Sequence, residues 1–306
     1  MNHTDYISIH DLSTEDVAEV LDLAAEMKAN TEKFRGAMEG KTLALLFEKP
    51  SLRTRVTFEV AMTKLSGASV YLAPADVGLG KRESTADIAR NLERWIDVIS
   101  ARTFAHKTVT DLAEYAGVPV INALTDRLHP CQALADYLTL REHLGDLSGK
   151  RLAYIGDGNN VAHSLLLGGP KAGMDVTVVT PEGFEPLGEI MDLARMAAAD
   201  AGTKVETTTS LDAVDGANAV YTDVWASMGQ ESEAEERSRI FKPYQVNGEL
   251  MARAAEGALF LHCLPAHRGE EVTDEVCDAP YSVIFDEAEN RLWTQMAMIY
   301  LLAAGK

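Results

Sequence analysis

The stretch Thr42-Leu43-Ala44-Leu45-Leu46-Phe47-Glu48-Lys49-Pro50-Ser51-Leu52-Arg53-Thr54-Arg55 changes character midway. Thr42 to Phe47 is a short apolar run suited to a buried strand, and a helical pattern begins near Pro50. Strand, turn, helix is therefore the local order. A helix N-terminus presents unpaired backbone N–H groups and a partial positive charge, to which Ser51, Arg53, Thr54 and Arg55 add hydroxyls and guanidiniums. Such a corner suits a doubly charged oxyanion. An N-cap at Ser51 followed by solvated arginines reads the same residues equally well, so the rest of the chain has to decide.

The order repeats along the chain. In the first half, strands are expected at Ser69–Ala73, Val98–Thr103 and Val118–Asn122, with helices after Ser13, over Asp87–Trp95 and around Thr110–Ala116. The helix after Pro50 is expected to turn Val56, Val60 and Leu65 inward and to stop at Gly67, and Pro74–Ser84 reads as a loop. A further helix starts at His129-Pro130-Cys131-Gln132, where proline suits the first turn. The tract Gly145–Lys150 is turn-rich and marks a domain boundary. Beyond it, strands are expected at Arg151–Ile155, Asp175–Thr180, Val205–Thr207, Ala219–Asp223 and Ala258–Cys263, with helices between them and a polar loop at Trp225–Glu236. Such alternation means an α/β protein of two domains, each a parallel β-sheet flanked by helices. Gly156-Asp157-Gly158-Asn159-Asn160 imitates a dinucleotide-binding turn, but Val161 stands where the third glycine belongs.

Composition narrows the function. With 47 acidic against 28 basic residues and a formal net charge of −19, the chain is a poor partner for nucleic acid or an anionic membrane. Clustered arginines are correspondingly informative. Cys131, Cys263 and Cys277 have neither metal-type nor disulfide-framework spacing, which fits a reducing compartment. No signal-type segment or bilayer-length apolar run is read, so a cytoplasmic protein without metal or cofactor is expected.

At or just beyond the ends of expected strands stand Arg53, Arg55, Arg102, His129, Gln132, Asn160, Asp223 and Cys263. Ligands of parallel α/β sheets bind outside the carboxyl ends of strands, so these side chains are candidates for one site. Each also has an ordinary role: Arg102 as a surface charge, His129 at a helix start, Asp223 in a turn, Cys263 as a small buried residue.

Jointly they resemble a known family. Ser51 to Arg55 is similar to the carbamoyl-phosphate signature of the aspartate and ornithine carbamoyltransferases, and His129 to Gln132 resembles their second signature. Asp223 to Gly229 and His262 to Pro265 resemble the amino-acid-binding segments of the ornithine enzymes of that family, and Glu289 to Arg291 their last site arginine. The resemblance implies a carbamoyl-phosphate-binding domain, residues 1–133, completed by a C-terminal helix 290–306 that packs back on it, and an ornithine-binding domain, residues 134–289. It implies that Ser51, Leu52, Arg53 and Thr54 hold the phosphate, that Arg102 and Arg291 serve phosphate and carbamoyl oxygen, and that His129 and Gln132 contact the carbamoyl group. Asn160, Asp223, Ser227 and Met228 would hold the α-amino and α-carboxylate groups of ornithine, with Cys263 and the Leu264 carbonyl facing the attacking amine. Arg55 is expected to be structural. The catalytic set would be Arg102, His129, Asp223 and Cys263.

The implied reaction is carbamoyl transfer from carbamoyl phosphate to L-ornithine by direct attack, in a homo-oligomer that is a trimer or an assembly of trimers. A carbamoyl thioester on Cys263 is the rival route. Carbamoylation of another amine, putrescine or N-acetylornithine, and a non-catalytic carbamoyl-phosphate-binding relative are the alternative functions. One departure stands out: where family members carry a polar residue that reaches a neighbouring subunit's site, this chain has Gly78, with Lys81 and Arg82 nearby.

So large an acidic excess, with lysine sparse on the expected helix faces, also implies a surface suited to a high-salt cytoplasm, because salt screens the self-repulsion of the compact state. The thermal midpoint is expected to rise from dilute buffer to molar salt; a maximum in dilute buffer contradicts this.

Overall fold

The computed structural model describes residues 3–78, 82–226 and 231–304. The chain divides into two compact units, residues 1–138 with 289–306, and residues 139–288.

The first unit holds the parallel strands β1 (Thr42–Phe47), β2 (Ala68–Leu72), β3 (Val98–Arg102) and β4 (Val120–Leu124), in the order β2-β1-β3-β4. Every residue of β3 and β4 is buried, as expected of strands covered by helices on both faces. Leu46, Ile99, Ala101 and Val120 join Val109 and Leu112 of the helix His106–Tyr115 in one core cluster. β1 is followed in one direction by β2 and in the other by β3, so the strand order switches between β1 and β3. Register pairs Phe47 with Arg102, which sets Arg102 beside the exit from β1, close to the turn that leads to Ser51.

The second unit carries β5 (Arg151–Ile155), β6 (Asp175–Val179), β7 (Val205–Thr208), β8 (Ala219–Thr222) and β9 (Leu259–Leu261), all parallel, in the order β7-β6-β5-β8-β9. Here the switch lies between β5 and β8. Ile155 pairs with Thr222 and Tyr221 with Leu261, so the residues just beyond these strands, Gly156, Asp223 and His262-Cys263, emerge at the same edge. Gly158 is there for space: a Cβ on it would stand 2.3 Å from the Pro186 nitrogen and 2.6 Å from the Phe184 carbonyl oxygen.

The last helix, Ile284–Ala303, begins earlier than the 290–306 that the resemblance implies. From Glu289 on it belongs to the first unit: Lys28 Nζ donates to Asn290 Oδ1 at 2.9 Å, and Tyr300 meets Phe34 edge-on at 5.5 Å. No helix among the described residues is long and apolar enough to cross a membrane.

Three local expectations are corrected. The helix Leu52–Lys64 buries Thr54, Phe58, Ala61 and Met62, whereas Val56 is 45% exposed. Thr54 hydrogen-bonds a buried arginine, and its face therefore turns inward and carries Val56 outward. Gly67 is not the stop. The helix ends at Lys64 with Leu65 as cap, and Gly67 lets the return chain pass the Met62 side chain, whose Cε lies 2.4 Å from where a Cβ would stand. Part of the polar loop at Trp225–Glu236 is helical: a 3-10 turn, Glu231–Glu233, leads into a helix, Ala234–Phe241, that buries Arg237 and Phe241. Its charged sequence hides the burial, because the inward face is one aromatic and one arginine.

Candidate functional site

Candidate residues lie in both units, and each set is built by its own sheet. In the first unit Ser51 caps the helix Leu52–Lys64, its Oγ accepting the Thr54 N–H at 3.3 Å. Ser51 thus fills the ordinary capping role at this corner. Arg102 closes β3, and His129 immediately precedes the helix Pro130–Leu144. Arg102, His129, Gln132, Thr54 and Arg291 are all buried.

Arg291 joins three helices. Its Nη1 donates to Gln132 Oε1 at 2.6 Å and its Nη2 to Thr54 Oγ1 at 3.3 Å. Gln132 Nε2 in turn donates to Asp136 Oδ1 at 2.8 Å. With the Gln295 amide oxygen facing the guanidinium, that oxygen accepts from Arg291 Nη2 at 2.8 Å. Asp136 and Gln295 escape a sequence reading, although each stands four residues beyond a candidate on the same helix, at Gln132 and Arg291.

Burial, followed by the charges of Arg291, Arg102 and Arg53, pushes the His129 imidazole well below its ordinary range. His129 is therefore neutral at physiological pH, with one N–H to donate. Three guanidiniums thus lie near enough to act on its charge. In a chain of net charge −19 this is a local concentration of cations, fit for a multiply charged anion with a polar carbonyl attached. Arg55 is not part of it. Half exposed, it donates from Nε to Glu59 at 2.9 Å and stacks 3.8 Å from the Tyr71 ring centre. Gly78 ends a short helix, Pro74–Val77, in the left-handed conformation at φ +61, while Lys81 lies outside the described residues.

In the second unit Asp223 is buried between two partners. Asn159 Nδ2 donates to its Oδ2 at 2.8 Å, and the Cys263 thiol donates to its Oδ1 at 3.1 Å. Asn159 also caps the helix Asn160–Ala172, accepting from the Val161 and Ala162 N–H groups at 2.9 and 3.2 Å. Its neighbour Asn160, the sequence candidate, takes the first helical position and is half-buried. Leu264 follows Cys263 at φ +59, with a cis bond to Pro265. Ser227 and Met228 lie outside the described residues.

A further pair was not legible in the sequence. Arg237 donates to the Asp157 carboxylate and to the Trp225 carbonyl, so it ties the turn after β5 to the loop after β8. Its guanidinium lies 4.9 Å from the Phe184 ring centre. Burial raises the Asp157 carboxyl to about 6 despite the opposing charge of Arg237.

Asp223, His262 and Cys263 bring potential ligand atoms within 4.8 Å of one another. They form a hydrogen-bonded cluster rather than a ready metal site, because both His262 ring nitrogens are already engaged, by Glu271 and by the Leu264 N–H. Cys131 is a core thiol; burial pushes it up to about 12, and it donates to the Asn122 carbonyl at 3.3 Å.

Residues 4–142 match the family model of the aspartate/ornithine carbamoyltransferase carbamoyl-P binding domain, and residues 148–302 match that of the Asp/Orn binding domain. The ornithine carbamoyltransferase of Pyrococcus horikoshii is 52% identical over 304 residues, covering 98% of this chain and 96% of that protein. A relative from Pyrococcus furiosus, named ornithine carbamoyltransferase, anabolic, is 51% identical over 304 residues, covering 98% of this chain and 96% of that protein. A solved structure of ornithine carbamoyltransferase from Pyrococcus furiosus superposes with a TM-score of 0.96 at 50% identity, covering 99% of this chain and 97% of that one.

The depressed His129 pKa has a stability consequence. The unfolded chain takes up a proton at this residue near pH 6.5 while the folded chain does not, so stability is lost as pH falls below about 6.5. The stability of the protein relative to a His129→Gln variant should therefore decline from pH 7 to 5, by at most about 1.4 kcal/mol per pH unit. Urea titrations across that range check this, and a flat difference contradicts a neutral buried imidazole.

Proposed function

The chain belongs to the aspartate/ornithine carbamoyltransferase family, and from that premise we propose that it transfers the carbamoyl group of carbamoyl phosphate to the δ-amine of L-ornithine, giving L-citrulline and phosphate. The observation that carries the reading is the buried set Arg102, His129, Gln132, Thr54 and Arg291, tied together by Arg291, with the His129 pKa lowered by burial and by the charges of Arg291, Arg102 and Arg53. Carbamoyl phosphate is a phosphate dianion joined to a carbonyl, and this set offers guanidiniums for the first and an uncharged N–H donor for the second. One guanidinium near 4 Å in a partly shielded site contributes on the order of 4 kcal/mol. Ser51, Leu52, Arg53 and Thr54 would receive the phosphate at the helix start, and Gln132 would contact the carbamoyl group.

In the reaction the amine nitrogen bonds to the carbonyl carbon, the carbonyl oxygen takes up negative charge, and the bond to the phosphate oxygen breaks. Donors aimed at that oxygen from Arg102, His129 and Thr54 would strengthen as the charge develops, so they would lower the barrier rather than only tighten binding. The amine must first lose a proton. With a lysine-like pKa of about 10.4 this costs roughly 4–5 kcal/mol near pH 7. Cys263, the Leu264 carbonyl and Asp223 would orient the amine, and desolvation there would reduce the cost.

Asp223 supports a free α-amino acid as acceptor. Its buried carboxylate matches an α-ammonium group, which N-acetylornithine lacks, while putrescine would leave the α-carboxylate contacts unfilled. The relatives at about half identity, named for ornithine, support the same choice, and the anabolic name of one of them fits arginine biosynthesis. The reading includes a homotrimer or an assembly of trimers. Leu52, 75% exposed, with Val56 and Val70 on or beside the edge strand β2, is apolar surface that such an assembly would cover.

With carbamoyl phosphate present, ornithine should give equimolar citrulline and phosphate, while putrescine and N-acetylornithine should turn over at least about 100-fold more slowly, the scale for a buried polar group left unpaired. kcat/KM for ornithine should rise through the alkaline range, and light scattering should report a multiple of three chains. Phosphate-site binding without citrulline would leave a non-catalytic relative; a flat rate from pH 6 to 9 with chemistry limiting would remove the amine-deprotonation step.

A further inference from the structure

His262 and Glu271 are fully buried in the second unit, and neither is among the residues assigned to substrate. The His262 Nδ1 accepts the Leu264 N–H at 2.9 Å, so the ring proton resides on Nε2, which donates to Glu271 Oε1 at 3.2 Å. The same carboxylate oxygen accepts the His267 N–H, and the Glu271 carbonyl accepts the Val246 N–H at 2.8 Å. A second buried carboxylate grips the backbone: Glu287 Oε2 accepts the His262 N–H at 2.9 Å, and its Oε1 accepts the Tyr221 hydroxyl at 3.1 Å.

What these contacts hold is unusual. Leu264 sits at φ +59, a left-handed conformation that costs a residue other than glycine about 1–3 kcal/mol and persists only where the surroundings enforce it. Between it and His262 lies Cys263, whose thiol meets Asp223. The imidazole thus bridges a fixed carboxylate and the strained residue beside the candidate thiol.

We propose that Glu271 and His262 are positioning residues, a buried carboxylate–imidazole pair that holds Leu264 left-handed and so aims the Leu264 carbonyl and the Cys263 thiol at the attacking amine. The proposal rests on the amine-transfer reading of this site. A pre-set acceptor need not reorganise as the amine attacks, which is where rigid support matters most.

The test compares His262→Asn, which returns an amide oxygen near the place of Nδ1, with His262→Leu, which offers no acceptor. The readouts are kcat, KM for each substrate, and the rate at which iodoacetamide alkylates Cys263 in the full-length protein. Cys131 and Cys277 are buried, so alkylation reports Cys263. His262→Leu should lose at least tenfold in kcat with KM for carbamoyl phosphate within twofold, and should change the alkylation rate at least threefold. His262→Asn should recover a substantial part of both. Equal impairment of the two variants, or an unchanged alkylation rate in His262→Leu, overturns the proposal. Should His262→Leu not fold, Glu271→Gln serves with the same readouts, and an unaltered kcat and alkylation rate there overturns it. A wild-type protein that makes no citrulline refutes the functional reading instead, and the alkylation series then decides the positioning role alone.

Discussion

Arg291 is 2% exposed, and a guanidinium at that depth has to be compensated. Left unpaired, such a charge costs several kcal/mol. Thr54 and Gln132 receive it, with Gln295 from its own helix, so the chain near residue 291 must return to segments met more than 150 residues earlier. That requirement accounts for two features of the first unit. The last helix packs against it, and the helix Leu52–Lys64 turns Thr54 rather than Val56 inward. Gln132 is fixed in turn by Asp136 of its own helix.

Sheet topology supplies the rest of each arrangement. In both units candidate side chains leave strands that flank a switch in strand order: β1 and β3 in the first, where His129 and Gln132 follow β4 next to β3 and Arg291 comes from the last helix, and β5 and β8 in the second, with β9 next to β8. At such a switch the connections run off in opposite directions and leave a crevice at the carboxyl edge. Register then decides which residues share that edge. Phe47 opposite Arg102 and Tyr221 opposite Leu261 place residues distant in sequence side by side. Helix starts at Leu52, Pro130 and Asn160 add backbone donors at the same edges.

Much of this was legible in the sequence because parallel strands are short apolar runs and the helices between them start at recognisable caps. The strands Thr42–Phe47 and Arg151–Ile155 have the bounds their apolar runs indicate, and both sheets follow from the alternation. Three kinds of feature were not legible. Burial decided by a distant polar partner, as at Thr54, overrides the apolar stripe that Val56 and Val60 display. Buried charge looks like surface charge: Arg237 sits in a run of acids and arginines, and Glu271 follows another glutamate, so nothing local distinguishes them. Support reached through a second residue, such as Asn159 holding Asp223, has no spacing rule, since its partner lies 64 residues away. Individual candidate residues were ambiguous one at a time, and only their joint order along the chain pointed to one family.

The central claim is that the cation cluster of the first unit is a directed anion site rather than a diffuse positive surface. Arg53 and Arg55 separate the two possibilities, because they are two residues apart at one helix start, yet only Arg53 contributes to the field at His129 while Arg55 is engaged with Glu59 and Tyr71. Calorimetric titration of carbamoyl phosphate into the wild type, Arg53→Met and Arg55→Met decides it. A directed site predicts at least about tenfold weaker binding for Arg53→Met, the scale of a lost charge-assisted hydrogen bond, and a change under twofold for Arg55→Met. Equal losses in the two variants would contradict the account.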